Sequence, residues 1–140
     1  MREGLRARTQ GLFLALILSQ AAHSIEEYAV RLYEVFGPAR FVSGLVSSNL
    51  ALGFAIANAA LVLLGVWCYV ARVRARHPSG PSWAWFWTIL EGVNGTNHLV
   101  LAASRGGYFP GAATAPLLLG LAVSLAVALS RRREPAPESR

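Results

Sequence analysis

The run LALGFAIANAALVLLGVWCYVA, residues 50–71, contains no charged side chain and ends against Arg72, Arg74 and Arg76. A helix needs about 20 mainly apolar residues to cross a hydrocarbon core about 30 Å thick, so this run predicts a membrane span. Residues 11–30, 83–103 and 112–130 form three further apolar stretches. Between the four lie helix breakers: Gly37-Pro38, then His77-Pro78-Ser79-Gly80-Pro81, then Gly106-Gly107 with Pro110-Gly111. The pattern predicts an all-α fold, a polytopic four-helix transmembrane bundle over residues 1–133, with 134–140 as a disordered cytoplasmic tail.

Composition points the same way. Hydrophobic residues make up 54% of the chain and charged residues 14%, whereas a soluble domain carries about 25% charge. All 13 basic residues are arginine, and the net charge is +6. These arginines cluster beside apolar runs with no stacking aromatics interleaved, which marks a topology signal and argues against a nucleic-acid partner. Membrane lipid is the expected partner.

Arg2, Arg6, Arg8, Arg72, Arg74, Arg76, Arg131, Arg132, Arg133 and Arg140 fall on one side of the four spans, and only Arg31, Arg40 and Arg105 on the other. The positive-inside rule then puts both termini and the loop between the second and third spans in the cytoplasm, with the protein in the plasma membrane. Trp67, Tyr69, Trp83, Trp85 and Trp87 gather at the same interface, where amphipathic rings prefer to sit. The N-terminus also resembles a signal peptide: Arg6 and Arg8 precede an apolar stretch that ends in Ser19-Gln20-Ala21. Cleavage of residues 1–21 leaves three spans. The single Cys68 excludes an internal disulfide and a cysteine-based zinc site.

The apolar runs carry side chains that do not belong in lipid. His23-Ser24-Ile25-Glu26-Glu27 sets a histidine three and four residues before two glutamates, on one helix face. Glu91-Gly92-Val93-Asn94-Gly95-Thr96-Asn97-His98 repeats the device, with Glu91, Asn94 and His98 spaced by three and four. At 1.5 Å per residue, His23 lies about 18 Å and Glu27 about 24 Å into the first span, Glu91 about 12 Å and His98 about 22 Å into the third. Asn58, about 18 Å from the cytoplasmic side, shares that layer. An ionisable residue at the bilayer centre costs roughly 2.5–3.5 kcal/mol on insertion scales, so the set is expected to face inward.

The motif His23-Ser24-Ile25-Glu26-Glu27 resembles the one that names the HXXEE-domain membrane proteins, and Asn94 to His98 with Glu91 upstream is similar to that family's second signature. The resemblance supports the choice of residues and implies no particular reaction. Imidazole and carboxylate ligands without thiolate suit one divalent transition ion, Zn²⁺, Fe²⁺ or Mn²⁺. The expected ligands are His23, Glu27, Glu91 and His98, with Asn58 and Asn94 as supporting polar groups.

Such a centre makes a metal-dependent membrane enzyme acting on a lipid-soluble substrate the leading expectation, as a hydrolase or an oxidoreductase. Without a metal, Glu26, Glu27, Glu91 and His98 are suited to acid-base catalysis, as in an isomerase, cyclase or hydrolase. A non-enzymatic ion or proton path, or a structural role, is the third class. Haem ligation by His23 and His98 is disfavoured by the neighbouring glutamates. Cysteine tags near Arg40 should label from outside the cell and tags near Pro78 from inside. Reversed labelling overturns the orientation, and matching sidedness overturns the number of spans.

Overall fold

A computed structural model of the chain describes residues 5–131. Each apolar run lies within or along a helix: α1 spans Ala7–Ala29, α4 Leu50–Cys68, α5 Gly80–Ser104 and α6 Ala115–Ser130. The last turns of α4 widen into a π-helical segment, Tyr69–Arg74. Two short helices, α2 over Leu32–Val35 and α3 over Gly37–Val46, fill the connection between the first and second runs. Gly37-Pro38 therefore opens a helix instead of breaking one. Proline is tolerated in the first turn, where the backbone N–H it lacks has no partner anyway, and α5 and α6 begin the same way at Pro81 and Pro116. Asn49 caps α4, its side-chain oxygen accepting from Leu52 N at 3.1 Å.

The described residues are all-α, with no strand among them. By length and composition one helix among the described residues, Leu50–Arg74, is able to cross a membrane, with a mean hydropathy of 2.1 in its most apolar window. Helix α6 is apolar but 16 residues long. Helices α1 and α5 have the length, 23 and 25 residues, but their buried polar side chains dilute their apolar character. Arg132, Arg133 and the tail expected at 134–140 lie outside the described residues.

Helix α6 packs along both α1 and α5, and α4 packs along α1 and α3, while α4 and α5 hardly touch. The main core joins Phe13, Leu16 and Ile17 of α1 to Trp87 of α5 and to Leu118 and Leu125 of α6. A second apolar cluster, Leu32, Tyr33, Phe54 and Phe109, closes the end of the bundle beside α2. Two glycines let backbones meet. A Cβ on Gly65 would lie 2.8 Å from Ile17 Cδ1, and one on Gly53 would lie 2.1 Å from the Ser43 carbonyl oxygen.

Gly53 is thus the point where α3 rests on α4. Gly53→Ala should lower the stability of the purified protein by about 1–3 kcal/mol, the usual cost of overpacking. Gly120→Ala, where a Cβ meets nothing within 4 Å, should be neutral or mildly stabilising. Equal melting temperatures for the two variants would show that α3 is not seated on α4.

Candidate functional site

Helix α1 buries Gln20, His23, Ser24 and Glu27, a run of three- and four-residue steps that forms one polar stripe. Helix α5 buries Glu91 and His98 on its inward face. The segment that follows α5 folds back over both. Gly106 (φ +67°) ends the helix with the paired bonds Gly106 N to Ala103 O and Gly107 N to Ala102 O, both 3.1 Å, the left-handed cap that glycine adopts most readily. The chain then runs through Tyr108, Phe109, Pro110 and Gly111 to Thr114, just before α6.

Three side chains meet under that loop. Glu27 Oε1 lies 3.4 Å from His23 Nε2 and 3.0 Å from His98 Nε2. Ligand atoms of the three lie within 4.8 Å of one another, and all three residues are buried. The imidazoles stand edge to face, with ring centroids 4.7 Å apart. Gly111 (φ +89°) fits against them because it has no side chain: a Cβ there would lie 2.5 Å from His98 Nδ1 and 2.8 Å from His23 Cε1.

Hydrogen bonding on the far side of each ring fixes its tautomer. His98 Nδ1 lies 2.6 Å from the Pro110 carbonyl oxygen, which only accepts, so Nδ1 carries a proton. His23 Nδ1 lies 2.6 Å from Thr114 Oγ1. That hydroxyl donates its one proton to Glu26 Oε2 at 2.6 Å, so it accepts from His23. Both rings therefore turn Nε2 towards Glu27. His23 Nε2 is buried with no hydrogen-bond partner.

The adjacent glutamates do different things. Glu26 faces the loop and accepts from Ala113 N at 3.1 Å, Thr114 N at 2.9 Å, Thr114 Oγ1 and the Tyr108 hydroxyl at 2.5 Å. Partial burial and the bond to the Glu26 carboxylate push the Tyr108 phenol up to about 12, so it remains a donor through neutral pH. Glu26 is a clamp that holds Thr114, and through it His23, in place.

Glu91 is not in the trio. It lies seven residues before His98, two helical turns and about 10 Å lower along α5. Asn94 Nδ2 bridges it to the stripe on α1, donating to Glu91 Oε2 and to Gln20 Oε1, each at 3.4 Å. Gln20 Nε2 donates to Ser24 Oγ at 3.0 Å, and Ser24 Oγ donates to Asn58 Oδ1 at 2.8 Å. Asn58 and Asn94 thus belong to a lower polar layer joining α1, α4 and α5. Glu91 itself is fully buried, and its Oε1 has no hydrogen-bond partner.

Gln20, Thr114, Gly111 and the Pro110 carbonyl complete the arrangement without having stood out in the sequence. Gln20 was legible in principle, since Gln20, His23, Ser24 and Glu27 follow helical spacing. The loop contributions carry no such signal.

A family model described as a protein of unknown function with HXXEE motif matches residues 13–126, and the chain belongs to that family. No curated protein and no solved structure matches it.

Long-range ¹H–¹⁵N correlation of imidazole-labelled protein at mildly alkaline pH should report the Nδ1–H tautomer for both His23 and His98. Thr114→Val should release His23 from that tautomer and leave His98 unchanged. An Nε2–H signal from His23 in the unmutated protein would refute the hydrogen-bond assignment.

Proposed function

We propose that this HXXEE-family chain is a multi-pass membrane protein, with both termini in the cytoplasm, that holds one divalent transition ion on His23, Glu27 and His98. The ion serves an enzymatic reaction on a lipid-soluble substrate. The observation that carries the reading is the convergence of two imidazole Nε2 atoms and a carboxylate oxygen, buried together. Three electron-rich atoms repel one another in a low-dielectric interior unless a cation or a shared proton lies among them.

The donor set fits the group. Two imidazoles and a carboxylate, without thiolate, suit Zn²⁺, Fe²⁺ or Mn²⁺, and three protein ligands leave coordination positions for water or substrate. Thr114 and the Pro110 carbonyl are the outer partners that fix metal-binding histidines in orientation and tautomer. A bound ion supplies Lewis acidity, enough to polarise a substrate oxygen or acidify a water. The chain's own part is to hold His23 and His98 rigid on either side of Glu27.

Four spans are supported by the distribution of polarity as well as by the arginine bias. Leu18, Ile25, Ile56, Leu63, Ile89 and Val93 are exposed on the outer faces of the helices, while His23, Glu27, Glu91 and His98 are buried. A water-soluble domain reverses this arrangement, and a bilayer rewards it. Positions α1 and α5 fall short by hydropathy because they carry the inward-facing polar groups.

The 3.0 Å separation of His98 Nε2 and Glu27 Oε1 also favours a second reading, in which one proton is shared between them and the pair performs acid-base chemistry without metal. Elemental analysis separates the two. Protein purified in mild detergent without chelator should contain about one equivalent of a transition metal, lost in His23→Ala, Glu27→Ala and His98→Ala and kept in His77→Ala. Thr114→Val should bind the ion about 10- to 100-fold more weakly. Wild-type protein that stays metal-free after reconstitution with Zn²⁺, Mn²⁺ and Fe²⁺ overturns the metal reading in favour of proton transfer.

A further inference from the structure

Helices α4 and α5 stand apart, and the gap between them is a cleft of about 680 Å³ that reaches the buried polar layer. Its walls are apolar, formed by Phe36, Phe54, Leu61 and Leu90. Its floor is polar: Gln20, Glu27, Asn58, Glu91 and Asn94. The volume lies within the range of small-molecule sites, and the division into apolar wall and polar floor is that of a site for an amphiphile.

Charge selects the head group. Two carboxylates, those of Glu27 and Glu91, line the cleft, and among the described residues no arginine or histidine does. Glu91 is the group that asks for a ligand. It is 0% exposed, its Oε1 accepts from nothing, and its Oε2 has one long bond from Asn94. A buried carboxyl oxygen left without a donor is costly, and a ligand that donates to it recovers that cost.

We infer that the α4–α5 cleft binds a single-chain amphiphile whose amine or hydroxyl head donates to Glu91, with its hydrocarbon chain along Phe36, Phe54, Leu61 and Leu90. Anionic heads such as a fatty carboxylate are excluded by the two glutamates. The inference deepens the proposed function, since Glu27 borders the same floor and the polar end of the ligand is thereby presented towards the His23–Glu27–His98 group. It rests on that reading for the identity of the ligand as substrate, whereas binding itself does not depend on the metal.

The test is native mass spectrometry of the full-length protein released from detergent micelles, with hexadecylamine, hexadecanol or palmitate added at equal concentration and the metal content measured separately. A 1:1 adduct is expected with the amine, the alcohol or both, and none with palmitate. Binding of the amine alone assigns a cationic head, and binding of the alcohol alone a neutral donor. Glu91→Gln should weaken the amine adduct at least about tenfold, as befits loss of a charge-assisted bond. Ala57→Trp should fill the cleft and abolish every adduct while metal content stays at the wild-type level. Palmitate bound as well as the amine, no adduct with either donor, or adducts that survive Ala57→Trp would overturn the inference. Because metal content is read in the same samples, binding without metal sinks only the metal centre, and metal without binding sinks only the cleft.

Discussion

Two imidazoles whose Nδ1 atoms are tied to the loop after α5 turn both Nε2 atoms towards one carboxylate, and much of the bundle's geometry serves that arrangement. Thr114 holds one ring and the Pro110 carbonyl the other, at 2.6 Å in each case. The loop reaches those positions because Gly106 turns the chain at the end of α5 and because Gly111 offers a bare backbone to the rings. Glu26 then anchors the loop through four hydrogen bonds from Tyr108, Ala113 and Thr114. A side chain at Gly111, or the loss of Glu26, acts on the histidines without touching the carboxylate between them.

The two glutamates of the motif owe their different tasks to helix geometry. Successive residues on a helix point about 100° apart, so one helical step separates a side chain that faces a partner helix from one that faces a loop. Glu27, four residues after His23, turns to His23 and across to His98. Glu26 turns to the start of α6. A pair of adjacent carboxylates is thereby divided between the buried histidines and the loop.

Below the trio, the polar layer has a different character. Gln20, Ser24 and Asn58 pass hydrogen bonds in one direction, with Asn94 linking them to Glu91. These bonds hold α4 beside α1 while α4 and α5 remain apart. The separation leaves Glu91 at the floor of a cleft with apolar walls. The buried His23–Glu27–His98 group and the cleft therefore share Glu27 as a common boundary.

The helices were legible in the sequence because apolar runs and three- and four-residue spacings are local. Runs at 11–30, 50–71, 83–103 and 112–130 each fall on a helix, and the stripes on α1 and α5 identify His23, Glu27, Glu91, Asn94 and His98 as one inward-facing set. Helix α3 was not legible, since Gly37-Pro38 signals both a turn and a helix start, and only its seat on Gly53 decides which. Nor did the spacing separate Glu26 from Glu27, or exclude Glu91 from the trio. Those distinctions depend on how α1 and α5 are set in height and on where a non-repeating loop lies against them. Thr114 and Pro110 are 91 and 12 residues from the histidines they hold, and no periodicity in a sequence encodes a contact between a helix and a loop. Local pattern determined which groups are buried; packing between segments decided which of them meet.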